Sequence, residues 1–160
     1  GTYEVVDHIK GSGLNLVVIG GSSVEERKSL KDYGEKYDIE VRVLSRLSSE
    51  EMCSVMRNAA AIVGLAHGEA FGLTPIEAMA LGVPPIFVNE GGFCETIIDG
   101  ENGRLIDRGE YNEWTEALAQ AKNLDIRNKW ARSGIERIEQ LGLTPENHSV
   151  RLYEEILRIY

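Results

Sequence analysis

The chain is short of several residue types, and each shortage closes off a class of function. Its 160 residues include only two cysteines, Cys53 and Cys94, too few for a disulfide framework or a four-thiolate zinc cluster. Lys and Arg number 17 against 26 Asp and Glu, a formal net charge of −9. That balance argues against nucleic acid and against a basic membrane-docking face. An anionic ligand must therefore be held by local dipoles and a few cations. No apolar run approaches the roughly 20 residues of a membrane-spanning helix, and no signal peptide opens the sequence, so the expected compartment is the cytoplasm. Neither Gly-x4-Gly-Lys-Ser/Thr nor Gly-x-Gly-x-x-Gly occurs, which removes the P-loop and the nicotinamide fingerprint. His67-Gly68-Glu69 lacks the Pro-Cys-x-x-Cys partner that a zinc deaminase needs. These absences leave an ordinary acidic globular chain.

What is present is an alternation of apolar runs and amphipathic segments. Leu14 to Ile19 reads as a buried parallel strand, Ile39 to Leu44 as a half-buried one, and Ala60 to Leu65 as a third. Pro85 to Val88 and Gly103 to Ile106 add two more. Helices are expected over Tyr3 to Ile9, Val24 to Tyr37, Phe93 to Ile98, Tyr111 to Lys122, Ile126 to Leu141 and Pro145 to Tyr160. Ser22 and Ser23 each stand three residues ahead of a glutamate. Ser48 and Glu51 form a capping box before a helix with Met52, Val55 and Met56 on one face. The pattern predicts an α/β fold, an open and mostly parallel sheet with helices on both faces, as one Rossmann-like domain over residues 1–160. Ligands of such sheets bind beyond the carboxyl ends of the strands. The loops at 20–23, 44–48, 66–74 and 89–95 lie there.

The stretch Gly68 to Gly82 is the most informative. Thr74 suits an N-cap, Pro75 the first helical position, and Glu77 the third residue of a capping box. Gly82 and Pro84 stop the helix. A helix start behind a small-residue loop favours an anion such as phosphate, and the carboxylates of Glu69 and Glu77 flank it. Backbone donors for phosphate beside carboxylates for hydroxyls suggest a sugar-nucleotide site. On residues alone, Glu77 reads equally well as cap or as ligand.

The run Glu69-Ala70-Phe71-Gly72-Leu73-Thr74-Pro75-Ile76-Glu77-Ala78-Met79-Ala80-Leu81-Gly82-Val83-Pro84, followed by Gly91-Gly92, Glu95, Asp99-Gly100 and Gly103, resembles the retaining glycosyltransferases of GT-B fold. Their hallmark is two glutamates with seven residues between them, the spacing of Glu69 and Glu77. The resemblance implies that the chain is the C-terminal, donor-binding half of a two-domain enzyme. It assigns the donor-sugar contact to Glu69 and the ribose contact to Glu77. Backbone groups around Phe71, Gly72, Leu73 and Thr74 would hold sugar and diphosphate, Arg46 and Leu47 would border the base, and Gly20 and Gly21 the same cleft. Gly91, Gly92 and Glu95 are further candidates, each with a plain turn or helix-start alternative. No cofactor or metal is implied, only a GDP- or UDP-sugar donor, with GDP-mannose favoured by a likeness to mannosyltransferases, and a place in polysaccharide biosynthesis. Ala70 departs from the usual glycine, and Leu65-Ala66 from the usual Pro-Ser. The resemblance further implies that the family's first strand, its basic diphosphate clamp and the acceptor-binding domain precede Gly1. Any membrane contact would then run through that domain. The sheet should be either short of that strand or completed by other residues, and the isolated chain should not catalyse transfer. The rival readings are a non-catalytic nucleotide- or sugar-binding module and a sugar-nucleotide epimerase of the same fold.

Overall fold

A computed structural model describes residues 1–143, together with Asn147 and Arg158. Its elements in chain order are α1 (Thr2–His8), β1 (Leu16–Ile19), α2 (Val24–Glu35), β2 (Val41–Leu44), α3 (Ser49–Arg57) and β3 (Ile62–Gly64). Then follow α4 (Leu73–Ala80), β4 (Pro85–Val88), α5 (Phe93–Thr96), β5 (Arg104–Ile106), α6 (Tyr111–Lys122) and α7 (Leu124–Leu141). The helix expected over Pro145 to Tyr160 lies outside the described residues. Both predicted capping boxes form: Ser23 with Glu26, and Ser48 with Glu51, each exchanging side-chain and backbone hydrogen bonds. Of the two serines that fit the first box by spacing, the structure uses Ser23. Helix α7 ends at Gly142, whose left-handed φ of 64° supplies the stop.

All strand pairs are parallel, but they fall into two sheets. β1 pairs with β2, Leu16 opposite Val41 through Ile19 opposite Leu44. β3, β4 and β5 form a second sheet in that order. β4 is buried at every position, as a central parallel strand should be. β1 departs from its predicted burial: Val17 and Ile19 are 39% and 40% exposed. The reason is topological. β1 is bonded on one edge only, and among the described residues no strand bridges it to β3. The sheet is short of a strand at that point, as the resemblance implies.

Packing nevertheless runs across the break. One hydrophobic cluster joins Val5, Val6 and Ile9 of α1 to Leu30, Val41, Leu65, the β4 residues and Trp114, Ala117, Leu118 and Ala121 of α6. Buried Asn102 secures the turn before β5, accepting from Ile98 N–H at 2.8 Å and donating to the Thr96 carbonyl at 3.2 Å. No helix among the described residues is long and apolar enough to cross a membrane.

Candidate functional site

A cleft of about 530 Å³ opens where β1 and β3 face one another. Leu16 to Ile19 form one wall and Ile62 to Ala66 the other, and Glu69, Thr74 and Glu77 stand at its rim. Three of the predicted site residues are therefore brought to one place. Phe71, Gly72 and Leu73 belong to the same loop and helix start but do not line the cleft; Phe71 and Leu73 are exposed. Gly20 and Gly21 follow β1, and Arg46 and Leu47 follow β2, so both loops leave the carboxyl ends of their strands without entering the lining. Arg46 holds a left-handed φ of 55°, uncommon for a side-chain-bearing residue. Glu95 lies exposed in the first turn of α5.

The predicted cap at Thr74 does not form. α4 begins two residues earlier than expected, at Leu73 rather than Pro75, behind Gly72 with a φ of 80° and ψ of 90°, and no side chain caps it. Thr74 sits inside the first turn, and Glu77 lies beyond the reach of a capping box. The cause is tertiary: a Cβ on Gly72 would come within 2.7 Å of the Phe93 ring, so α5 sets where the chain turns into α4. Two consequences follow. The first N–H groups of α4 are left without side-chain acceptors. The exposed carboxylates of Glu69 and Glu77 make no side-chain hydrogen bond among the described residues, so both remain available to a ligand.

Gly91 and Gly92 act on this loop from below. Gly92 N–H donates to the Glu69 carbonyl at 3.0 Å. A Cβ on Gly91 would fall 2.4 Å from that same oxygen, and one on Gly92 2.3 Å from the Phe71 Cα. Their lack of side chains lets the β4–α5 loop lie directly under residues 69–71. Arg108, which donates to the carbonyl of Leu65 in the cleft wall at 3.1 Å, forms a two-pronged ion pair with Glu90, at 3.2 Å on each prong. This hydrogen-bonded pairing holds the Glu90 carboxyl below the usual carboxylate range and raises the Arg108 guanidinium. Sequence reasoning missed Arg108, and no local signal marks it, because its partners lie at positions 4, 65, 66 and 90. Among the described residues no group of three or more His, Cys, Asp or Glu is arranged to hold a metal ion.

Comparison with known proteins identifies the family and the fold. The family model described as glycosyl transferases group 1 matches residues 2–137. A glycosyltransferase of Methanocaldococcus jannaschii, itself uncharacterized, is 28% identical over 159 residues, 98% of this chain and 45% of that protein. The alpha-1,3/1,6-mannosyltransferase alg-2 of Neurospora crassa is 30% identical over 123 residues, covering 75% of this chain and 26% of its own length. The chain thus spans less than half of either relative. Among solved structures, the Anabaena protein Alr3699/HepE in complex with UDP and glucose superposes with a TM-score of 0.79. It is 18% identical and the match covers 97% of this chain and 44% of that one, a likeness of fold.

Proposed function

The chain belongs to the glycosyl transferases group 1 family, and from that premise we propose that it is the donor-binding half of a retaining glycosyltransferase. Glu69 contacts the hydroxyls of the donor sugar and Glu77 those of the ribose. The uncapped N–H groups at the start of α4 receive the diphosphate, the anion that a helix N-terminus favours. The observation that carries this reading is the convergence of Glu69, Thr74 and Glu77 on one cleft, with both carboxylates free of side-chain hydrogen bonds among the described residues. In the chemistry proposed, the diphosphate leaves from the face on which the acceptor attacks. Donors fixed around the developing charges stabilise that transition state in place of a protein nucleophile. An acceptor domain elsewhere in the longer protein completes the enzyme, so the isolated chain binds donor without transferring it. The loop of Gly20 and Gly21 and the loop of Arg46 and Leu47 border the nucleotide, and Glu95 stands at the edge of the same region. GDP-mannose is the proposed donor, in keeping with the mannosyltransferase relative; the UDP of the Anabaena neighbour makes uridine nucleotides the competing choice.

Calorimetric titration tests the reading. UDP, GDP and ADP are compared with UDP-glucose and GDP-mannose on wild type, Glu77→Ala and Glu69→Ala. One diphosphate should bind selectively, and loss of the Glu77 carboxylate should weaken it at least about tenfold, as removal of a charge-assisted hydrogen bond does. Glu69→Ala should leave the free diphosphate unaffected and remove the preference for one sugar. Equal affinity of all three proteins for every nucleotide would overturn both assignments.

A further inference from the structure

Among the described residues the Glu69 carboxylate has no side-chain partner, yet its backbone is fixed from two directions, and a single guanidinium joins them. Arg108 extends from the loop after β5 and remains 23% exposed. Its Nε and Nη2 donate to the two Glu90 oxygens at 3.2 Å each. Nη1 donates to the Leu65 carbonyl at 3.1 Å and lies 3.4 Å from Glu4 Oε2, while Nη2 lies 3.5 Å from the Ala66 carbonyl. These contacts match the five N–H donors of a guanidinium one for one. An exposed ion pair alone contributes little, but this one also anchors two carbonyls at the exit of β3, three residues before Glu69. The circuit then closes, because Glu90 adjoins Gly91 and Gly92, whose backbones lie against Glu69.

We propose that Arg108 is a positioning residue of the donor site: it ties the exit of β3 to the β4–α5 loop and so sets where Glu69 stands. This rests on the reading of Glu69 as the sugar-contacting carboxylate. A lysine cannot replace it, having three donors on one nitrogen and no fork to span two loops and a carboxylate.

Amide hydrogen exchange by NMR on the ligand-free protein tests the clamp. The probe is Gly92 N–H, bonded to the Glu69 carbonyl, and the control is Ile39 N–H, bonded to the Gly34 carbonyl in the other half of the molecule. Arg108→Gln should speed exchange at Gly92 by about tenfold or more and leave Ile39 unchanged, since local opening and global unfolding separate in this measurement. Arg108→Lys should recover less than half of the lost protection. Unaltered exchange at Gly92, or equal acceleration at Gly92 and Ile39, overturns the clamp. A second arm titrates UDP with UDP-glucose and GDP with GDP-mannose. Arg108→Gln should hold diphosphate affinity within about twofold and lower the preference for the sugar nucleotide. An equal loss for both ligands overturns sugar-side positioning. Failure of wild type to bind any nucleotide overturns the donor-site reading itself, an outcome that the Gly92 exchange does not share.

Discussion

At the scale of the residue, Glu77 separates two roles that its sequence position leaves superposed. A carboxylate three residues after a threonine fits a capping box, and loss of such a box destabilises the helix. With α4 starting at Leu73 behind Gly72, that box is absent. Ser48, whose hydroxyl accepts from Glu51 N–H at 3.2 Å while the Glu51 carboxylate accepts from Ser48 N–H at 2.8 Å, shows what the formed box looks like. Urea denaturation should therefore distinguish the two sites. Ser48→Ala should lose about 1 kcal/mol, whereas Glu77→Ala should leave the midpoint within experimental error and act only on nucleotide binding. A Glu77→Ala loss as large as that of Ser48→Ala would return Glu77 to a structural role. The misreading at Thr74 has a physical source. Residues 74, 75 and 77 carry good capping chemistry, but the turn is set by the Phe93 ring packed on Gly72, a contact that joins distant parts of the chain.

Among the elements, α1 shows how burial of one titratable ring becomes a pH dependence. His8 is buried and stacks on Trp114 of α6 at 5.1 Å between centroids, with Tyr111 at the same distance and tilted by 45°. Burial lowers its pKa from the ordinary 6.5, and the opposing pull of Glu4 and Asp7 on the same helix is smaller. The sign follows from linkage: below about pH 6.5 the unfolded chain takes up a proton at this position before the folded one does, so stability falls with pH. Thermal midpoints should drop as the pH falls below about 6.5, and His8→Phe, which keeps an aromatic stack, should flatten that part of the curve. Parallel curves for the two proteins would remove His8 as the cause. Elements of this kind were largely legible in the sequence. The strands expected over 85–88 and 103–106 formed as β4 and β5, the second one residue shorter, and the two serine caps started α2 and α3. Legibility failed where a residue's partners lie far along the chain. Arg108 is such a case, its side-chain partners Glu90 and Glu4 standing 18 and 104 positions away.

For the whole molecule, the break between the two sheets carries the strongest physical demand. β1 and β3 present unpaired edges to each other, and each has an apolar partner strand on its far side only. Two cavities of about 520 and 530 Å³ lie end to end along this break and share Val5, Leu16, Val17, Ile19, Met56, Ile62 and Val63 in their walls. Bare parallel edges beside exposed Val17 and Ile19 leave N–H and C=O groups and apolar surface without partners, the condition that invites strand addition or aggregation. Two facing parallel edges can each accept the hydrogen bonds of one further strand. An extended peptide of about six apolar residues, the usual length of a buried strand, should accordingly raise the thermal midpoint when added to the chain. The same peptide with a central proline should not, because proline withholds an N–H from the ladder and is excluded from central strands. A midpoint unmoved by either peptide would mean that the break is not a strand site. A rise with the first alone would restore the continuous sheet on whose carboxyl edge Glu69 and Glu77 stand.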